Sequence, residues 1–254
     1  VSSAQVNEKG LSFDRRWMLV DETGTFMTQR TLPAMALLKV KMDSDSYQNG
    51  EWKIVNSQRS TYHTISITPT PLGKGMPVTI WNDSVIAFEV SPETSQWFSD
   101  ALQTTCKLVY FPEENVRPVD PAYQVNNEHV SLADAYPFMI IGQSSLDHLN
   151  NKLQEPIPMN RFRPNFVFTG GEPNEEDSWR NFTIGNNRFV GVKPCARCVV
   201  PTIHQDTAEK GVEPSRTLAT YRKKENKILF GQNLVAVDHQ KINEGDIITI
   251  QTRS

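Results

Sequence analysis

The chain has 254 residues, 38% hydrophobic and 22% charged, with a formal net charge of −3. That length can bury a sizeable core, in one large domain or two smaller ones. The slightly acidic balance excludes an electrostatic binder of nucleic-acid backbones, and no apolar run reaches the roughly 18 residues of a membrane helix.

The N-terminal half reads mostly as strands. Leu11–Val20, the Asp21–Gly24 turn and Thr25–Gln29 predict a β-hairpin, and Ala36–Val40 continues the strand pattern. Residues 41–62 are largely polar, with a loop expected over Asp43–Gly50. His63–Thr68 alternates with the period of a half-buried strand, and Pro69, Pro71, Gly73, Gly75 and Pro77 mark a turn-rich crossing. Val78–Trp81 and Val85–Val90 are two more predicted strands. Ser91 is an expected N-cap and Pro92 a first helical residue, ahead of an apolar face of Trp97, Phe98, Ala101 and Leu102. Cys106–Phe111 is another strand.

The polar stretch from Pro112 to Val130 is the expected boundary, giving domains over 1–115 and 116–254. Beyond it, Ser144–Leu153 reads as an amphipathic helix, Arg163–Thr169 as a strand closed by Gly170 and Gly171, and Thr217–Lys224 as a short helix. Leu234–Val237 and Ile247–Gln251 are the last strands. No βαβ rhythm is visible. The expected class is a strand-rich α+β protein with a closed or partly closed barrel.

Lys193–Gln205 contains two of the three cysteines, Cys195 and Cys198, followed by a β-branched, strand-like run of Val199, Val200, Thr202 and Ile203. Three cysteines do not make a disulfide framework and fit a reducing, cytoplasmic compartment. Four readings of the pair stand. A zinc site needs four ligands, and Cys106 and the five histidines are scattered. A redox dithiol opens a helix, which the run after Cys198 opposes. Two buried cysteines at a strand start would be core filler. The fourth is a single thiolate on a soft metal centre, with Arg197 and Lys193 as neighbouring cations.

Arg15, Arg16, Arg30, Arg161 and Arg163 form the other notable group. Arginine suits bidentate recognition of phosphate, although solvated arginines at strand ends would look the same. Asp134 could face a pocket or simply form a turn. Glu175–Trp179 reads as a charged loop anchored by Trp179, and His204 as a hydrogen-bonded residue at a strand end.

Several motifs in register add a resemblance. Gly10–Asp21, with Asp14-Arg-Arg-Trp17, and Thr28-Gln-Arg30 resemble the β-barrel domain that precedes a MOSC domain. Asn160–Asn165, Glu176–Trp179, Cys195-Ala-Arg-Cys198 and Phe230–Asn233 resemble the MOSC domain itself, in that order. The resemblance covers nearly the whole chain and is nearest to the mitochondrial amidoxime-reducing component and its bacterial counterparts. It implies an N-terminal β-barrel-like domain plus a MOSC β-barrel domain with a few peripheral helices.

The resemblance also implies a molybdenum cofactor, a pyranopterin dithiolene whose metal takes one protein cysteine, matched here by Cys198. It implies cofactor contacts from Arg15, Arg30, Arg163 and Asn165, and Asp134 becomes a candidate proton relay. The implied activity is reduction of N-hydroxylated small molecules, with electrons from a separate ferredoxin-like, cytochrome or flavoprotein donor. The alternative is a sulfur or cofactor carrier with persulfide on Cys198. The family's opening strand, with a Lys-Ser pair for the cofactor phosphate, is expected to precede Val1. The chain departs from some relatives in having Arg16 within the Asp-Arg-x-Trp motif, Ala135-Tyr136 after Asp134, and His204 in place of aspartate.

Overall fold

The computed structural model describes residues 1–41, 51–66 and 74–253. The expected loop over 43–50 and most of the proline-rich crossing lie outside them. The chain forms two compact units. One contains Val1–Asp14, Arg117–Thr202 and Gly211–Ser254, and the other Arg15–Val116 and Ile203–Lys210. Both are strand-rich, built on curled half-barrel sheets with few helices.

In chain order the first strands are β1 (Ser3–Asn7), β2 (Gly10–Leu11), β3 (Trp17–Val20), β4 (Leu38–Lys41), β5 (Glu51–Asn56) and β6 (Thr61–Ser66). β7 (Met76–Ile80), β8 (Asp83–Glu89), helix α1 (Pro92–Leu102) and β9 (Lys107–Tyr110) come next. β3 to β9 and α1 belong to the Arg15–Val116 unit, as sheets of order β3-β9-β8-β7 and β4-β5-β6. The expected hairpin partner of β3 is displaced: β3 pairs with β9, and the 21–26 segment adds a Val20–Phe26 bridge to it and a Thr25–Thr79 bridge to β7. Asp21 holds that turn, its Oδ1 accepting the Thr23 and Thr25 amides at 2.9 and 3.0 Å. The 51–56 segment, not singled out in the sequence, is a strand pairing both β4 and β6. Ala36 and Leu37 are in a 3-10 turn opened by Pro33, because proline withholds a ladder N–H.

Ser91 caps α1 as expected, its Oγ accepting the Thr94 amide at 3.0 Å, a contact worth about 1 kcal/mol. The helix lays Phe98 and Leu102 against Leu19, Ile54, Ile65 and Leu108. Cys106 lies in this cluster.

The other unit carries β10 (Phe138–Gly142), α2 (Gln143–Asn150), β11 (Phe166–Phe168), β12 (Trp179–Ile184) and β13 (Asn187–Ala196). It continues with α3 (Ser215–Ala219), β14 (Lys223–Lys224), β15 (Lys227–Ala236), β16 (Lys241–Asn243) and β17 (Ile248–Arg253). Its larger sheet has the order β11-β10-β15-β13-β12-β17, with β14 beside β15, and β1 lies between β16 and β2 in the smaller one. β10 and β11 are parallel, so β10-α2-β11 is one crossover unit, against the expectation of no βαβ rhythm. β11 is three residues long, too short for a periodic signal. The segment expected as helix over 217–224 is instead the end of α3 and then β14.

Trp179, Phe182, Phe189, Phe138 and Leu234 form the core of this unit. Each large side chain contributes roughly 1.5–3 kcal/mol through burial. Trp179 is 2% exposed and is the anchor expected of it. Among the described residues, no helix is long and apolar enough to cross a membrane.

Candidate functional site

The cysteine stretch is the reverse of the expectation. Cys195 sits within β13, and the run after Cys198 is a 3-10 turn over Val200–Thr202 rather than a strand. Two local causes account for this. Pro201 has no N–H for a ladder, and the Val199 carbonyl accepts both the Thr202 amide at 2.9 Å and its hydroxyl at 2.8 Å. The strand therefore leads into Cys198 instead of out of it. The register of β13 on β15 shifts between Gly191 and Lys193 and again between Pro194 and Ala196. Such bulges re-aim side chains beside functional sites.

The two cysteines are not equivalent. Cys195 packs beside the Met139, Phe162 and Phe230 cluster. Arg197 Nη1 lies 3.2 Å from its sulfur and 2.9 Å from Met139 Sδ. Arg197 Nη2 donates to the Phe162 carbonyl at 2.8 Å, and its guanidinium lies 5.3 Å above the Phe162 ring. Arg197 is thus committed to Cys195 and Phe162. Cys198 is partly exposed, and among the described residues its thiol makes no hydrogen bond. Lys193 Nζ stacks 4.0 Å over Tyr123, whose ring meets Tyr136 edge-on. Burial pushes the Tyr136 hydroxyl well above its ordinary value, with Asp120, Tyr123 and Cys195 adding to the effect, so it stays protonated.

The two arginine-bearing motifs meet through Asp14, a neighbour that the sequence alone does not single out. Asn165 Nδ2 donates to Asp14 Oδ2 at 2.7 Å, and Asn165 Oδ1 accepts the Met139 amide at 3.0 Å. An amide and a carboxylate 151 positions apart therefore join the Arg163-Pro-Asn165 loop to the start of the Asp14-Arg-Arg-Trp motif. The signal was present as an aspartate opening one motif and an asparagine closing the other. Asn165 is largely spent on this brace, leaving one amide hydrogen for a ligand.

Arg163 is exposed, and its φ of 55° holds it in the left-handed region, a strained conformation for a residue before proline. Arg15, in the other unit, is also left-handed at φ 52°. Arg16 is not a surface residue of its motif: its side chain is buried and paired with Glu113. Arg30 is half-buried with its guanidinium 4.7 Å over Trp81. Arg161 is 7% exposed and donates to the Pro201 carbonyl at 2.8 Å, which makes it a support for the turn after Cys198.

Asp134 is exposed, and its backbone carbonyl is one of three that receive the buried Arg117 guanidinium, together with Ser131 and Ala133. His204 is exposed, with Nδ1 accepting the Asp206 amide at 3.3 Å. Among the described residues, no group of three or more His, Cys, Asp or Glu side chains is placed to hold a metal ion.

The sequence of residues 1–105 matches the MOSC N-terminal beta barrel domain, and residues 127–249 match the MOSC domain. Molybdenum cofactor sulfurase of Oryza sativa subsp. japonica is 27% identical over 270 residues, covering 100% of this chain and 32% of that protein. Mitochondrial amidoxime-reducing component 1 of Mus musculus is 28% identical, covering 87% of this chain and 66% of that protein. The Homo sapiens protein of the same name is 28% identical, covering 97% and 76%. The chain thus spans less than two thirds of the rice and mouse relatives. With its two halves matched by these two domain models, the chain belongs to the MOSC-domain proteins with an N-terminal MOSC β-barrel domain, homologous to the molybdenum cofactor sulfurases and amidoxime-reducing components.

Proposed function

We propose that this chain holds a molybdenum cofactor through Cys198 and reduces N-hydroxylated small molecules with electrons from a separate donor protein. The observation that carries the reading is the Asn165–Asp14 hydrogen bond, which braces the two arginine-bearing family motifs while Cys198 stays accessible. The residues present suit the cofactor. A soft metal suits a thiolate, a phosphate suits arginine, and one protein thiolate suffices when the dithiolene supplies the other sulfur donors. Relatives named for amidoxime reduction support the substrate class.

When bound, the molybdenum cofactor supplies two-electron redox chemistry. The reaction takes an N-hydroxylated base, two electrons and two protons to the reduced base and water. The chain's own part is binding, orientation and proton supply. Cys198 is the protein ligand to the metal. Arg163 provides a guanidinium for phosphate on a fixed loop, and Asn165 keeps that loop on Asp14. Arg15 and Arg30 are assigned phosphate contacts on their motifs alone. Asp134 is the proposed proton carrier, its backbone fixed by Arg117 and its carboxyl side exposed.

A sulfur-carrier role has one observation in its favour, the matches to molybdenum cofactor sulfurases. The two are separated in protein from cells that make the cofactor. Reduction of an amidoxime by chemically reduced viologen, lost in Cys198→Ala, supports the reductase. Persulfide on Cys198 with little molybdenum and no amidoxime reduction overturns it.

A further inference from the structure

The segment that leads into Cys198 runs beside a basic hairpin. Ala196 is opposite Leu229, and the Arg197 amide donates to the Ile228 carbonyl at 2.8 Å. The Glu225-Asn226 turn joins β14 to β15 there, with Lys223 opposite Ile228 and Lys224 opposite Lys227. Adjacent strands are about 4.8 Å apart, so both strands of the hairpin pass within roughly 10 Å of the backbone before Cys198.

The charge of this hairpin runs against that of the chain. The whole chain has a net charge of −3, whereas Lys223, Lys224 and Lys227 surround a single carboxylate, Glu225. Arg222 stands apart from them, paired with Asp177 and donating to the Leu229 carbonyl at 2.9 Å. The three lysines are exposed, and among the described residues none makes an ion pair or a side-chain hydrogen bond. Two further cations lie near: Arg180, which borders the same surface depression as Lys223 and Lys224, and Lys152, whose Nζ is 5.3 Å from the Tyr221 ring centroid.

Lys224 and Lys227 form a cross-strand pair of like charge, which costs the hairpin stability instead of adding to it. An acidic partner would turn that repulsion into attraction. Val199, 54% exposed and next to Cys198, supplies apolar surface beside this charge, the combination of apolar contact and polar rim found in protein interfaces. A redox protein gains most from such a place, because electron transfer weakens steeply with distance from the metal. An extended polyanion gains less, because the net negative charge of the chain opposes it beyond the hairpin.

We infer that the β14–β15 hairpin is the docking surface for an acidic electron-donor protein, a role that rests on the reductase reading. Lys223, Lys224 and Lys227 steer and hold the donor, and its redox group comes to lie over the Cys198 segment.

Calorimetric titration of the full chain with an oxidised, acidic plant-type [2Fe–2S] ferredoxin tests the contact apart from turnover. Saturable binding is expected, weakened about tenfold or more between about 20 and about 200 mM salt. Lys223→Glu/Lys224→Glu/Lys227→Glu should weaken it about tenfold or more, and Glu225→Lys should tighten it about twofold or more. Glutamate keeps the β14 edge charged and the three positions are exposed, so the urea midpoint should not move. In cofactor-loaded protein the triple variant should lose ferredoxin-driven amidoxime reduction by a similar factor and keep the viologen-driven rate. No viologen-driven reduction in wild type overturns the reductase reading and the donor assignment with it. Where that reduction is present, the docking surface alone is overturned by absent ferredoxin binding or by a triple variant with wild-type affinity. A single-stranded oligonucleotide that binds the hairpin as tightly as ferredoxin also overturns it.

Discussion

Cys106 lies 3% exposed behind α1, among Leu19, Phe98 and Leu108, with its sulfur 3.7 Å from the Ser99 hydroxyl. Cys198 lies two residues past the end of a bulged strand and is partly open to solvent. Burial pushes the Cys106 thiol up, away from the thiolate that ligates metals or attacks disulfides. One residue type is therefore core filler in one unit and a candidate ligand in the other. The difference comes from the backbone immediately after each cysteine. β9 continues directly from Cys106 into a packed sheet, whereas the β13 ladder has ended at Ala196 and Pro201 keeps the residues after Cys198 in a turn.

The largest contrast should be in thiol labelling. Cys195 and Cys198 should react with a disulfide reagent in the folded protein, and Cys106 only through opening of the fold. Opening free energies of several kcal/mol make that a difference of at least about 10³-fold in rate. Mass-spectrometric mapping during a labelling time course measures it. Cys106 reacting at the rate of Cys198 would break the contrast.

Next in size is the support beneath Cys195. Phe162 is 1% exposed and lies under Arg197, against Phe230 with ring centroids 4.5 Å apart. Phe162→Ala should cost about 3–5 kcal/mol in urea unfolding. A loss under about 1 kcal/mol would mean that the cluster is not the platform described.

A matched pair of substitutions sharpens the comparison. Cys106→Ser buries a hydroxyl and should cost about 1–3 kcal/mol, while Cys198→Ser should stay within about 0.5 kcal/mol. Equal urea midpoints for the two variants would contradict their different settings.

The smallest expected effect concerns Glu176, 0% exposed, whose carboxylate accepts the Ser145 hydroxyl at 2.9 Å and the Gly142 amide at 3.2 Å. Burial raises its pKa, more than these hydrogen bonds lower it. The folded state then holds the proton more tightly than the unfolded chain does. Its contribution is full below the unfolded carboxyl value, about 4.3, and is lost as pH rises through the folded value. Glu176→Gln should flatten that part of the stability–pH curve, measured by urea unfolding from about pH 4 upward. An unchanged slope would place the titration elsewhere.

These contrasts are partly legible in the chain. Ser91-Pro92 and the apolar face after it predict α1, because capping and helical periodicity are local signals. The family motifs mark Cys198, Arg15, Arg163 and Asn165 by residue type and order. The run after Cys198 imitates a strand in sequence but not in structure. β-Branched residues favour strands only where a neighbour offers a ladder, and Pro201 and the Val199 carbonyl direct the chain into a turn. The 51–56 strand, with Trp52, Ile54 and Val55 among polar residues, is hidden by the largely polar stretch around it and lacks a regular alternation. The Asn165–Asp14 brace needs long-range pairing, which no local window contains. The unequal partners of Cys195 and Cys198 likewise appear only once Arg197 is seen to lie on Phe162.

The central claim is that Cys198, and not its neighbour three residues earlier, is the metal ligand. Its most direct test is molybdenum per chain, by plasma mass spectrometry, in wild type, Cys195→Ser and Cys198→Ser purified from cells that make the cofactor. The expected result is near-stoichiometric metal in wild type and Cys195→Ser and almost none in Cys198→Ser. Wild-type molybdenum in Cys198→Ser would contradict the assignment.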